Sequence, residues 1–403
     1  MTVTVPLKRL IDPVRPITYG IVQAGENVEG GVPYIRPVDM DGHRGVDPMS
    51  LRTTSPEIAA AYARSALQPG DVVVSIGPSF GKIMVVPQEL DGANLTQGTA
   101  RVALRSDVSS RFVVWSLQSQ HAIDYWETSI GGATFRALNL GPLANTPIRL
   151  PSLIEQVAIA DYLDRETARI DTLIEEQQRL IEMLRERRSA EIAAAFRPPF
   201  DARLRYAIAF AQTGPFGTQL SADEYVEGGV PVINPSHITR GAILPDPAVA
   251  VPNAKAQALE RHQLKVGDLV LGRKGDVDKC ALVGEGESGY LCGSDSMLLR
   301  PGAGTDAAFL WWFLQSPEAH SQLELWSVGC TVAGLNQTTI AKISLPLPGL
   351  AEQQRVVAHL EEQTAKIDQL IAETERFIEL SRERRAALIT AAVTGQIDVR
   401  EVA

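Results

Sequence analysis

TARIDTLIEEQQRLIEMLRERR (167–188) returns later in the chain as TAKIDQLIAETERFIELSRERR (364–385). The reading of these two stretches decides the fold. Ile170 and Ile367, Leu173 and Leu370, and Arg188 and Arg385 are each 197 residues apart. A repeat at a domain-sized offset means duplication of a whole unit. The repeat continues outside the helix. EGGVPYIRP (29–37) matches EGGVPVINP (227–235), and LQPGDVVVSIG (67–77) matches LKVGDLVLGRK (264–274). TQGTARVALR (96–105) is followed by LCGSDSMLLR (291–300), and WSLQS (115–119) by WFLQS (312–316). SIGGATFRALN (129–139) pairs with SVGCTVAGLN (327–336), and PIRLPSLIEQ (147–156) with SLPLPGLAEQ (344–353). The order is kept, so the chain reads as two copies of one globular domain plus one long helix.

In the first helical stretch Ile170, Leu173, Ile174, Leu180, Ile181 and Leu184 share one broad apolar face. In the second, Ile367, Leu370, Ile371, Phe377, Ile378 and Ala387 with Leu388 do the same. Each helical segment runs about 45 residues, roughly 65–70 Å if continuous. A helix of that length needs a partner for its stripe, and the other copy is the expected one. Gln177 and Thr374 are matched polar interruptions that could fix register. Connectivity requires the second helix to run back along the first. The pair is then antiparallel, with a globular domain near each end and a pseudo-two-fold across the spacer.

The globular copies carry short β-branched runs separated by turns, such as VPYI, DVVVSI, KIMVV and RVAL. RFVVWSLQSQHAIDYW and AAFLWWFLQSPEAHSQLELW read as short helices. The expected class is α+β: two β-rich mixed α/β domains in tandem repeat, separated by two long helices forming an antiparallel coiled coil. The expected boundaries are 1–149, 150–196, 197–346 and 347–403.

The net charge of −10 is spread unevenly. Residues 1–149 balance 13 positive against 13 negative side chains, while the helical segments 150–196 and 347–403 carry −4 and −3. The acidity thus sits largely on helices that need not touch a nucleic acid, and the near-neutral domains leave room for a local basic face. Cys280, Cys292 and Cys330 show no CxxC spacing and read as reduced thiols. No stretch approaches a membrane span, and MTVTVPLKRLIDPVRP lacks the apolar core of a leader, so a cytoplasmic chain is expected.

Catalytic signatures fail on inspection. RPPFD (197–201) lacks the Asn amide of an NPPY-type methyltransferase motif. GPSFGKI (77–83) is one residue short of a P-loop and ends in Ile. GEGESG (284–289) places two glutamates where a pyrophosphate would sit. The six histidines form no HExxH.

The chain resembles the specificity subunits of type I DNA restriction-modification enzymes. The features that carry the resemblance span almost all of it. They are the GxxxxxLN element before each helix (Gly132 to Asn139, Gly329 to Asn336), the LPxLxEQ element (Leu150 to Gln156, Leu347 to Gln353), the ARID and AKID turns, the RERR segments and the tail LITAAVTGQIDVR (388–400). The resemblance implies that each domain is a target recognition domain reading one half of a bipartite asymmetric DNA site, with the helices as a ruler over an unread spacer. It implies docking of two methyltransferase (modification) subunits and, through them, of restriction/translocase subunits. S-adenosylmethionine, ATP and Mg would then be bound by those partners and no cofactor by this chain, which would be non-catalytic. A DNA-binding scaffold of another modification or phage-defence complex is the alternative.

Base edges call for Arg, Lys, Asn, Gln, His, Ser or Thr on loops, and phosphates for cations and N–H groups. In the first domain the candidates are Arg36, His43 and Arg44 after the VPYI run, Ser79 and Lys82 in GPSFGK, and Thr134 and Arg136 before Leu138-Asn139. In the second domain they are Asn234, His237 and Arg240, then Arg273, Lys274 and Lys279, then Thr331 and Asn336. RKGDVDK (273–279) resembles a family loop RxGxxGK, with Asp278 in place of the second Gly. Asn139 and Asn336 have a competing structural reading as backbone caps. The coiled-coil and partner-binding set is Ile170, Leu173, Ile174, Ile181, Leu184, Ile367, Leu370, Ile371, Phe377 and Ile378. Arg185, Arg187, Arg188, Arg382, Arg384 and Arg385 are candidate contacts to a partner or to phosphate.

Overall fold

The computed structural model describes residues 3–41, 45–77, 79–130, 137–239, 241–273, 279–327 and 335–399. The chain divides into two units: residues 1–178 with 376–403, and residues 179–375.

In the first unit the strands are β1 (Val3–Pro6), β2 (Thr18–Tyr19), β3 (Val32–Ile35), β4 (Arg52–Thr54), β5 (Val72–Ser75), β6 (Ile83–Val85), β7 (Asn94–Leu95), β8 (Thr99–Val102) and β9 (Pro147–Leu150). The helices are α1 (Pro56–Ala61), α2 (Ser110–Gln118), α3 (Gln120–Ser129), α4 (Leu140–Asn145) and the start of α5 (Leu153–Ala195). Four strands form a sheet in the order β2-β8-β5-β6, three form β4-β3-β7, and β1 pairs with β9. The β3–β7 pair is parallel, with Tyr34 opposite Asn94 and Ile35 opposite Leu95.

In the second unit the strands are β10 (Ala202–Arg203), β11 (Ile208–Thr213), β12 (Val230–Ile233), β13 (Ile238–Thr239), β14 (Ala242–Ile243), β15 (Ala250–Val251), β16 (Leu269–Gly272), β17 (Cys280–Leu282), β18 (Leu291–Cys292), β19 (Ser296–Pro301) and β20 (Ser344–Leu345). The helices are α6 (Leu204–Ala207), α7 (Asn253–Ala258), α8 (Ala307–Leu314), α9 (Pro317–Ser327), α10 (Gln337–Ile340) and α11 (Leu350–Thr394). The topology repeats: the sheets are β11-β19-β16-β17 and β15-β12-β18, and β12 pairs parallel to β18.

Two glycine pairs explain why the repeat kept those residues. Gly70 and Gly267 turn the chain into β5 and β16 at φ 90° and 85°, a region that side-chain-bearing residues rarely adopt. A Cβ on Gly20 would lie 2.0 Å from the Leu95 carbonyl oxygen, and one on Gly214 only 1.8 Å from that of Gly293. Backbone meets backbone there, so only glycine fits. The aspartate after each turn glycine is held by an arginine from elsewhere. Arg15 Nη2 is 2.5 Å from Asp71, and Arg300 Nη2 is 2.6 Å from Asp268.

The core of the first unit joins Val72, Val74, Val102, Phe112, Leu117 and Trp126 to Ile159 and Leu163 of α5 and to Ile389, Ala392 and Val393 of α11. In the second, Leu269, Leu271, Phe309, Phe313 and Leu345 pack with Ile192 of α5, with Phe196 just after it and with Leu360 of α11. Each long helix is therefore anchored in a domain core. Each is also clamped at its first turn by a buried glutamine. Gln156 accepts from the Ser109 N–H and donates to the Pro151 carbonyl. Gln353 accepts from the Asp306 N–H and donates to the carbonyls of Gly304 and Pro348. Ser109 and Asp306 are the N-caps of α2 and α8, so the glutamine of LPxLxEQ ties a long helix to the start of a domain helix.

Within each unit the two long helices run antiparallel. In the first, Gly395 sits beside Arg149 while Arg385 meets Asp171. In the second, Arg185 meets Glu375 while Arg188 meets Asp368. The buried seam is narrower than the face read from sequence. Leu163, Thr167, Ile170, Ile174, Ile181 and Leu184 on α5 and Leu360, Thr364, Ile367, Thr374, Ile378 and Ser381 on α11 are buried, following an alternating three–four spacing. Ile371 is half-buried, whereas Leu173, Leu370 and Phe377 face outward at 36%, 48% and 42% exposure. A 3.5-residue seam excludes positions that a 3.6-residue face would include. The Thr374 hydroxyl donates to the Leu370 carbonyl in its own helix, so it does not set register across the pair.

Candidate nucleic-acid interface

In the first unit four loops converge at one end of the β2-β8-β5-β6 sheet. Gly77 abuts Gly98, and a Cβ on Gly98 would press on the Pro37 ring at 2.8 Å. Leu138 N–H donates to the Ile76 carbonyl at 2.9 Å, bringing the segment before α4 to the same place. Ser75 folds the loop after β5, its Oγ donating to the Ser79 carbonyl and accepting from Lys82 N–H, both at 2.9 Å. The second unit repeats the arrangement. Leu335 N–H donates to the Arg273 carbonyl at 2.8 Å, and Gly293 N–H to that of Ile233.

The candidate residues fall into three groups. His43, Arg44, Thr134, Arg136, Arg240, Lys274 and Thr331 lie outside the described residues.

A second group lies at the loop ends with its side chains engaged inside the domain. Arg36 grips Asp39 through Nε at 2.9 Å and Nη2 at 2.5 Å, and this bond raises the pKa of its guanidinium above the ordinary value. Lys82 Nζ donates to the carbonyls of Pro37 and Met40 at 3.1 and 2.7 Å. Arg273 donates to the Leu335 and Ser294 carbonyls. His237 is buried, with Nδ1 3.3 Å from Asn234 N and 3.1 Å from the Val232 carbonyl. Asn336 caps α10, its Oδ1 accepting from Thr338 and Thr339 N–H groups at 2.9 Å each. These side chains brace the loops. Lys279 stands at the start of β17, its carbonyl accepting from Gly272 N–H.

The third group has its side chains uncommitted. Ser79 is exposed with its hydroxyl making no bond among the described residues. Asn139 occupies the N-cap of α4 yet makes no cap bond, unlike its counterpart Asn336. Gln97, on the turn between β7 and β8, is exposed and among the described residues bonds only through its backbone N–H, to the Ile21 carbonyl. Gln97 was not among the sequence candidates. The strand registers equate it with Ser294 of the second unit, since Thr99 pairs with Ser75 as Ser296 pairs with Gly272; the two sequence stretches aligned end to end set Gln97 against Cys292 instead and hide this.

The last arginine of each RERR segment ties the two helices to a domain, while Arg185 and Arg187 pair with helix glutamates and Arg382 and Arg384 are exposed. Arg385 pairs with Asp171 at 2.9 Å and lies 5.8 Å from the Trp115 ring centre. Arg188 pairs with Asp368 at 3.0 Å and lies 5.7 Å from that of Trp312.

The profile of the type I restriction modification DNA specificity domain matches the chain twice, over residues 21–183 and 216–379. The chain is 28% identical over 201 residues to the type I restriction enzyme EcoBI specificity subunit of Escherichia coli, covering 49% of this chain and 42% of that protein. It is 26% identical over 182 residues to the StySPI specificity subunit of Salmonella potsdam, covering 43% of this chain and 37% of that one. The match therefore spans about two fifths of the length of these curated relatives. Its fold is similar to that of a chain solved within a study of type I R-M system assembly, with a TM-score of 0.74 at 16% identity over 97% of both chains. It is also similar to the HsdS subunit from Thermoanaerobacter tengcongensis, with a TM-score of 0.57 at 18% identity over 98% of this chain and 97% of that one. With two matched segments covering most of its length, the chain belongs to the type I restriction-modification DNA specificity family.

Proposed function

We propose that this chain is the non-catalytic, sequence-specific DNA-binding subunit of a type I restriction-modification complex. It reads a bipartite, asymmetric site, one half with each domain, and directs the methyltransferase and restriction subunits to it. The observation that carries this reading is the repetition of one loop cluster on two domains whose loop residues differ. Similar frames with different side chains read related positions and different bases. Bracing of Arg36, Lys82 and Arg273 within the frame supports the reading, because a reading surface must be held before it meets DNA.

Two modification subunits dock on the outward faces of the long helices. Leu173, Leu180 and Met183 of α5 are exposed, and so are their counterparts Leu370, Phe377 and Leu380 of α11. Apolar side chains repeated at the same offset on two helices suit two copies of one partner. S-adenosylmethionine, ATP and Mg belong to the partners, and the complex works in the cytoplasm.

The test is assembly with the cognate methyltransferase. Native mass spectrometry reads two methyltransferase copies per chain, and Met183→Glu with Leu380→Glu lowers that number. A complex that forms equally well with both substitutions removes the helices as docking sites.

A further inference from the structure

A groove of about 370 Å³ opens at the recognition end of the first unit. Tyr19, Val22, Gly77, Gln97, Gly98 and Asn139 border it, and among the described residues no side chain lining it is charged. Phosphate contacts need cations, so this surface is unsuited to the DNA backbone. It is suited to base edges, which offer neutral donors, acceptors and methyl groups. Gln97 and Asn139 each present an exposed carboxamide with no partner among the described residues. A carboxamide carries one acceptor and a donor pair, which match the N6 and N7 of adenine. Tyr19 and Val22, 39% and 49% exposed, offer apolar surface of the kind that meets a thymine methyl. Glycine at 77 and 98 keeps the rim low where the groove must admit a base pair.

Among the described residues the second unit does not repeat this pair of free carboxamides. Asn336 Oδ1 is engaged in capping α10, and by strand register Ser294 stands where the first unit has Gln97. Pro142, with no N–H to give, stands where Thr339 donates to Asn336, and Asn139 makes no cap bond. The Asn139 carboxamide is therefore left exposed at the groove.

We propose that Gln97 and Asn139 are specificity-determining residues of the first domain, and that the pair reads A·T base pairs through the N6 and N7 of adenine. The proposal rests on the specificity-subunit reading given above.

The test uses the full chain assembled with its methyltransferase and a pool of duplexes randomised in both half-sites. Selected sequences are compared for the native chain and for Gln97→Ala, Gln97→Glu, Asn139→Ala and Asn139→Asp. The native chain selects at least one adenine in one half-site. Each alanine variant lowers discrimination at one such position roughly 10-fold and leaves the other half-site unchanged. Gln97→Glu shifts that position toward cytosine, whose N4 amine a carboxylate accepts. An unaltered selected sequence in all four variants overturns the proposal. So does relaxation confined to G·C positions, or weaker binding with every preference intact. If the native chain itself selects no two-part sequence, the specificity-subunit reading fails first, and that result is separate from any effect of the variants.

Discussion

Arg385 of the second long helix lies 2.9 Å from Asp171 of the first, and exactly 197 positions earlier Arg188 of the first lies 3.0 Å from Asp368 of the second. Each arginine also stacks on a tryptophan from the WxLQS motif of a domain. Three motifs that are far apart in sequence therefore meet at one junction in each unit, where helix, helix and domain join. An exposed ion pair alone contributes about 0–1 kcal/mol. A cation against a ring adds about 0.5–1 kcal/mol. Arg385→Ala and Arg188→Ala should each cost about 1–2 kcal/mol, read by urea denaturation of the whole chain. A double-mutant cycle of Arg188→Ala with Asp368→Ala should give a coupling well below 1 kcal/mol. A larger coupling would make the salt bridge, rather than the stacking, the main contribution.

Gln156 and Gln353 should matter more, because both are buried and each satisfies buried backbone groups. Truncation orphans those groups, at about 1–3 kcal/mol each. Gln353→Ala, which frees one N–H and two carbonyls, should therefore destabilise the chain more than Gln156→Ala. Replacement by glutamate keeps the shape but loses the donor and buries a charge, so it should not restore stability. Denaturant midpoints of the four variants check the order.

His262 gives the second unit a pH dependence. Its burial pushes the imidazole pKa below the ordinary 6.5, and Nδ1 has no partner among the described residues. The folded state therefore holds a neutral ring that the unfolded state protonates more readily. Its contribution is present above about pH 6.5 and is lost as the pH falls toward the depressed folded value. Urea midpoints should drop between pH 6.5 and 5 in the native chain and drop less in His262→Gln.

Burial drives the thiol pKa of both Cys280 and Cys292 far upward, so neither is a thiolate at neutral pH. An alkylating reagent at pH 8 should leave both unmodified in the folded chain and label both in urea, as read by peptide mass spectrometry. Labelling of either one under native conditions would mean that β17 or β18 opens locally.

The duplication, the long helices and their direction were readable because they rest on periodicity and connectivity, which sequence states directly. The seam was read too wide. Leu173 and Leu370 fit a 3.6-residue face, and only the burial of Thr167, Thr364 and Ser381 reveals the 3.5-residue one. Residue type chose Arg36 and Lys82 as DNA contacts, but it could not register Asp39 or the Pro37 and Met40 carbonyls that occupy them. Asn139 and Asn336 look alike in sequence. Thr339, three residues on, completes a capping box for Asn336, whereas Pro142 holds that place after Asn139. Gln97 was missed because its importance lies in which loops surround it.

As the proposed specificity subunit, this chain chooses the DNA sequence on which a methyltransferase acts. The most direct test of that role is single-molecule methylation mapping of DNA from a host carrying the cognate methyltransferase, with and without this chain. N6-methyladenine is expected at an asymmetric two-part motif only when the chain is present. Methylation that is absent in both hosts, or that falls on the same sites without the chain, would contradict that role.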